Sequence, residues 1–159
     1  MPMKMAQRPS KLIISKISKT WLSYKFLDHA TDAFIEVTAK DLKEAFLITA
    51  NAVINLTLDQ DKVEEKDQKK IVAQGKDLRY LLFSWLEEVT FILITEGFAI
   101  KRIELEIQEN KGYKIIAKAY GEQLDFLKHN FKVEIKAPTF YEMKIEQNNG
   151  VFMRFLLDL

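Results

Sequence analysis

The 159-residue chain contains no cysteine, two histidines, three prolines and five glycines. Each scarcity removes a class of chemistry. Without cysteine there is no disulfide, no thiolate metal site and no cysteine nucleophile. That absence suits a reducing compartment, and a cytoplasmic setting is expected. The two histidines, His29 and His129, are too few for a multi-histidine metal site. No phosphate-cradling glycine loop, G-x-S-x-G elbow or H-E-x-x-H pair occurs. Long hydrophobic runs are missing too. The apolar stretch at residues 89–94 falls far short of the roughly 20 residues that span a bilayer, so no membrane segment is expected. The sequence offers no self-sufficient catalytic apparatus, and any chemistry must lean on carboxylates and lysines.

What is present reads as a globular domain. Hydrophobic residues make up 48% and charged residues 30%, and the length suits one domain. The net charge of +1 is unevenly spread. Lys4, Arg8, Lys11, Lys16 and Lys19 give residues 1–20 a charge of +5 with no acid, leaving 19 basic against 23 acidic groups in the rest. A −4 body argues against a broad nucleic-acid face as its main feature. The basic arm reads as a flexible tail, with contact to an acidic partner or to RNA phosphates as the alternative. A secretory signal is disfavoured, because residues 12–14 are too short for its apolar segment. The expected organisation is an arm over 1–20 and a single domain over 21–159.

The apolar pattern predicts strands at 24–27 and 34–39, then a helix started by Asp41 with Glu44 closing a capping box. Residues 59–70 read as a solvated loop leading to a short strand at 71–73. A second helix is predicted after Asp77, with Leu78, Leu81, Leu82, Trp85, Val89, Ile92 and Leu93 as its stripe and Gly97 as its stop. Phe83, Leu86, Phe91 and Ile94 widen that stripe and make it the central helix of the core. The period then changes to two. Ile103, Leu105 and Ile107 mark a strand, and Asn110-Lys111-Gly112 turns into another at 113–120. Further strands are predicted at 133–137, 141–146 and 151–157. The fold class is α+β, a largely antiparallel or mixed sheet with two helices on one face.

Three places draw attention as sites. Asp28-His29-Ala30-Thr31-Asp32 packs two acids, a histidine and a threonine between two strands. Such a turn presents the oxygen donors that a hard cation takes, although aspartates in turns also bond backbone amides. Asp158, penultimate in the sequence, follows a strand that is well paired on its apolar pattern. Glu134 and Lys136 share the outward face of the strand predicted at 133–137, where an ion pair contributes little. The stretch from Tyr120-Gly121-Glu122 through Asp125 and His129 reads as a connecting turn and loop.

Taken in order, these pieces resemble the archease family, small protein cofactors of the RtcB-type RNA ligase in tRNA splicing and RNA repair. The resemblance runs from Tyr24-Lys25-Phe26-Leu27-Asp28-His29 and Asp32 through the helix starting near Leu42-Lys43-Glu44-Ala45-Phe46. It continues with Gly75-Lys76-Asp77-Leu78, Thr95-Glu96-Gly97-Phe98, Tyr120-Gly121-Glu122, His129, Lys136-Ala137 with Thr139, and Asp158-Leu159. Three departures stand out: Ala30-Thr31 is transposed, Pro138 replaces Val or Ile, and Phe140 replaces Tyr.

The resemblance implies that Asp32, Asp158 and Leu159 hold a divalent cation, Ca²⁺ first, with Mg²⁺ or Mn²⁺ as alternatives. Two carboxylates, a main-chain or terminal oxygen and waters form an oxygen-only set suited to such ions. By the same resemblance Asp28 and His29 orient the turn, and Lys136 is a candidate contact to a partner. The implied function is non-enzymatic: the chain promotes guanylylation of the ligase, and RNA is met indirectly or through the arm. Two other classes stay in view, a small metal-dependent hydrolase using Asp32 and Asp158, and a general RNA-binding or chaperone-like module.

Overall fold

The computed structural model describes residues 23–27 and 32–159. The basic arm and the pair Asp28 and His29 lie outside the described residues. The chain divides into two compact units, one formed by residues 1–49 with 136–159 and the other by residues 50–135. The fold class is α+β with antiparallel pairing throughout, and its strands fall into two sheets.

The first unit holds a four-stranded sheet in the order β1-β2-β7-β6. Its strands are β1 (Ser23–Leu27), β2 (Asp32–Ala39), β6 (Ala137–Gln147) and β7 (Val151–Asp158). In β2 the period of two is nearly complete. Ala33, Ile35, Val37 and Ala39 are buried, while Phe34 and Glu36 are half-buried and Thr38 is exposed. β7 lies between β2 and β6 and buries Val151, Met153, Phe155, Leu156 and Leu157.

The helix α1 (Leu42–Thr57) follows β2. Asp41 Oδ1 accepts from the Glu44 amide at 2.9 Å, so the predicted cap forms. The return half of the capping box does not, because Glu44 pairs instead with Lys40 at 2.5 Å. Within this unit the buried Thr49 hydroxyl donates to the Met153 sulfur at 3.3 Å, tying the helix to the strand that ends in Asp158.

The second unit holds a three-stranded sheet in the order β3-β5-β4. Its strands are β3 (Asp67–Gly75), β4 (Phe98–Glu109) and β5 (Tyr113–Gln123). A single 3₁₀ turn, Gln60–Lys62, precedes β3. The helix α2 (Leu78–Thr90) is capped by Asp77, whose side chain accepts from the Tyr80 amide at 3.0 Å. It continues as a wider turn over Phe91–Thr95 and stops at Gly97, where φ is +62°. α2 packs on β3 with Leu81, Leu82, Trp85, Leu86 and Val89 buried. It is not buried on all sides, since Tyr80 and Phe91 are exposed. No described helix is long and apolar enough to cross a membrane.

Three expectations need correction. Residues 67–70 belong to β3 rather than to a loop, pairing with residues 118–121 of β5. β5 itself runs past Tyr120 through Gly121 and Glu122. Residues 133–136 form no strand, although Ile135 is buried. The chain here bonds elsewhere: the Lys132 amide donates to the Thr57 carbonyl at 2.7 Å and the His129 carbonyl accepts from Asp59.

Candidate functional site

The register of β2 against β7 brings two acids from opposite ends of the sequence together. Asp32, the first residue of β2, stands directly opposite Asp158, the last residue of β7. Directly paired residues carry Cβ atoms about 4.5–5.5 Å apart. Four rungs along, on the same face, Glu36 stands opposite Arg154 and accepts from its guanidinium at 3.0 Å. One rung thus pairs opposite charges and the other pairs like charges. A like-charged rung costs stability unless a counter-charge lies beside it. Asp32 is half-buried, Asp158 exposed and Leu159 half-buried, so the pair sits at the sheet margin.

The third element of the corner is the residue before β6. The Lys136 amide donates to the Asp158 carbonyl at 2.8 Å, while Ala137 is the rung partner of Asp158 on its other side. That hydrogen bond engages the main-chain oxygen of Asp158, and Leu159 follows it directly in the chain. The Lys136 side chain is exposed. Pro138, which has no amide to donate, sits in β6 opposite Leu157. β6 is an edge strand whose register breaks between Thr139 and Lys144, with Glu142 at φ 54°.

The donor set fits a hard cation. Two carboxylates at one rung and a neighbouring main-chain oxygen provide oxygen ligands alone, and Ca²⁺ accepts oxygens at about 2.3–2.6 Å. Among the described residues no group of three or more His, Cys, Asp or Glu side chains gathers. The rest of such a coordination sphere would fall to water. The structure brings together Asp32, Asp158, Leu159 and Lys136; Asp28 and His29 lie outside the described residues.

A second cluster lay unread in the sequence. Glu122 and His129 are both buried, with His129 Nε2 2.9 Å from Glu122 Oε2. The imidazole accepts from the Asp125 amide at Nδ1, 2.9 Å, so Nε2 carries the proton and donates to the carboxylate. Glu122 also accepts from the Glu64 amide at 2.9 Å and from the Lys128 ammonium at 3.0 Å. Burial alone would raise this carboxyl. Bonds from His129, the Glu64 amide and Lys128 outweigh that effect and bring it to about 2. Both imidazole nitrogens are engaged, so the histidine serves as a clamp on residues 124–129 rather than as a base. The one local signal was Gly121: a Cβ there would lie 1.8 Å from the Ala99 carbonyl oxygen, so only glycine lets β4 and β5 meet beside Glu122.

Comparison with known proteins bears on the sequence and the fold. The model of the archease protein family matches residues 24–159. The protein archease of Pyrococcus abyssi is 40% identical over 130 residues, 81% of this chain and 89% of that one. That of Pyrobaculum islandicum is 38% identical over 141 residues, 87% and 96% of the two chains. The solution structure of protein 1598 from Methanobacterium thermoautotrophicum superposes with a TM-score of 0.73 at 28% identity, covering 86% of this chain and 98% of that one. With its sequence matched from the first described strand to the final residue, the chain belongs to the archease family.

Proposed function

We propose that this chain is a non-enzymatic protein cofactor of an RtcB-type RNA ligase, promoting guanylylation of the ligase and hence its repeated turnover in tRNA splicing and RNA repair. Family membership over residues 24–159 carries the reading. The relatives bear protein names and not enzyme names. The direct opposition of Asp32 and Asp158 supports the acidic corner as the working surface.

In this reading Asp32, Asp158 and the main-chain oxygen of Leu159 would hold a divalent cation, Ca²⁺ first and Mg²⁺ or Mn²⁺ as alternatives. When bound, the cation supplies a concentrated positive charge at a surface that is otherwise acidic. The two carboxylates fix its place, and β7, anchored through Met153 to α1, holds Asp158 rigidly. Lys136 stands beside them with its side chain in solvent, where it meets the partner. By the family resemblance Asp28 and His29 would support this site, and both lie outside the described residues. The nucleotide chemistry belongs to the ligase, and RNA reaches the complex through it, in the cytoplasm.

The test is GMP transfer to a purified RtcB-type ligase, measured with each variant alongside circular dichroism. Asp32→Ala and Asp158→Ala are expected to lose most of the stimulation while staying folded, and Lys136→Ala to lose less. Full stimulation by a folded double variant sinks the reading. Phosphoester cleavage without ligase, dependent on the same acids, would revive the hydrolase.

A further inference from the structure

The outer face of the β3-β5-β4 sheet carries a charge pattern separate from the acidic corner. In β5 the buried residues Ile115, Ala117 and Ala119 alternate with Lys114, Ile116 and Lys118 on the other face. The register carries that face onto both neighbours: Lys70 of β3 stands directly opposite Lys118, and Gln74 opposite Lys114. Lys70 and Lys118 are both exposed. A directly opposed lysine pair is unfavourable.

Beyond Lys114 the same face ends in an open recess of about 510 Å³, lined by Lys76, Lys111 and Lys114 together with glutamine, asparagine, glycine and Tyr113. No carboxylate lines it. The hairpin turn that forms its lip holds Lys111 at φ 55° beside Gly112. Lys76 rests its ammonium 4.5 Å from the Tyr80 ring centroid. Among the described residues none of the five lysines forms a direct salt bridge, although Glu104 faces Lys118 across the strand pair.

The acids nearby are accounted for. Glu104 is rung partner to Lys118, but Arg102 donates to it at 2.5 Å and the Tyr120 hydroxyl at 3.2 Å. Glu106 stands on the same outer strand, opposite Ile116. Burial, and after it the nearby Glu109 charge, raises the Tyr113 phenol above its ordinary range. Asp77 is spent on capping α2. The face is therefore divided lengthwise, with lysines on β3 and β5 and acids on β4. At the far end the Arg102 guanidinium lies over the Tyr120 ring, 4.2 Å from its centroid, a cation-aromatic contact beside the lysine row.

We propose that this face, from Lys70 and Lys118 to the recess held by Lys76, Lys111 and Lys114, binds a single-stranded nucleic acid through its phosphates. The cations form a row and do not converge on a point: Lys114 and Lys118 are four residues apart along one strand, about 13 Å. A row of point charges with a stacking surface at one end matches a flexible polymer carrying regular charge and planar bases. The inference stands apart from the ligase-cofactor reading, since the residues lie in the other compact unit.

The test uses the full chain and a fluorescein-labelled ten-nucleotide oligouridylate, with anisotropy followed from 50 to 200 mM NaCl. Binding should weaken with salt at a logarithmic slope of about −2 to −3.5, as expected for three to five phosphates on a single strand. Lys114→Glu/Lys118→Glu should lower affinity at least tenfold and flatten the slope, with Lys114→Ala/Lys118→Ala intermediate. Lys144→Glu, on β6 and paired with Glu146, should change nothing. No binding at 50 mM salt, or undiminished binding by the folded double variants, overturns the proposal. So does binding abolished only by Lys11→Ala/Lys16→Ala/Lys19→Ala in the basic arm. Competition by polyglutamate as strong as that by unlabelled oligouridylate would assign the face to an acidic protein instead.

Discussion

His129 donates from Nε2 to Glu122 Oε2 across 2.9 Å inside the second compact unit, and both side chains are withdrawn from water. Because the Glu122 carboxyl falls to about 2 from an ordinary 4.5, folding depends on pH in a defined direction. The unfolded chain binds this proton more readily than the folded one. The stabilisation is therefore complete above pH 4.5 and is lost as pH falls towards 2. Urea midpoints should be level from pH 7 to 5 and then fall through that window. Glu122→Ala should cost on the order of 3 kcal/mol at neutral pH, as expected for one partner removed from a buried charged network. The variant should also show a shallower acid limb; an equally steep limb would assign the acid sensitivity elsewhere.

Gly121 and Gly97 predict different penalties for the same substitution. At Gly121 a methyl group would overlap the Ala99 carbonyl at 1.8 Å, and that oxygen belongs to the paired backbone of β4. No side-chain motion relieves it. At Gly97 the space is open but φ is +62°, a conformation that costs an L-residue about 1–2 kcal/mol. Gly97→Ala should lower the thermal midpoint modestly, whereas Gly121→Ala should prevent cooperative folding. Comparable melting curves for the two variants would contradict the close approach.

Where the chain's own periodicity is strong, sequence and structure coincide. The alternation over 34–39, the Asp41 and Asp77 caps and the stop at Gly97 are all local signals, and all appear. The N-terminal half of β3 was illegible because it is an edge strand, and Asp67-Gln68-Lys69-Lys70 carries the charge that edges tolerate. The end of β5 was illegible because Gly121 looks like a turn residue until β4 is laid beside it. The alternation at 133–137 misled for the opposite reason: the Lys132 amide is taken by Thr57, far away in sequence. Nothing local pairs Asp32 with Asp158. Only the resemblance placed them in one site, and the β2–β7 register is what sets them opposite each other.

The caps give a test confined to local energetics. Asp77 accepts from the Tyr80 amide at 3.0 Å and Asp41 from the Glu44 amide at 2.9 Å. Replacing either with alanine should cost about 1 kcal/mol, read as a shifted denaturant midpoint at constant slope. Asn at either position should restore most of the loss. A variant losing several times that amount would mean the side chain does more than cap.

The Asp32–Asp158 rung makes a prediction that needs no ligase. Two carboxylates placed opposite one another repel, and neither lies in the apolar core. Metal-free Asp32→Asn or Asp158→Asn should therefore be as stable as the parent, or slightly more so. Added Ca²⁺ should stabilise the parent alone, because a ligand that binds only the folded state contributes RT ln(1 + [L]/Kd). At a hundredfold excess over Kd that is about 2.7 kcal/mol. For a chain of this length it corresponds to a rise of roughly 5–10 °C in the melting midpoint. Each asparagine variant should lose most of the rise, since a single remaining carboxylate with a main-chain oxygen holds the ion weakly. Lys136→Ala should keep the full rise, because an ammonium cannot ligate a cation, even if it weakens ligase stimulation. Calorimetric titration with Ca²⁺, Mg²⁺ and Mn²⁺ separately would rank the ions. If the parent shows no metal-dependent shift while the asparagine variants still fail to stimulate the ligase, the two acids act as direct partner contacts and the cation is not part of the site.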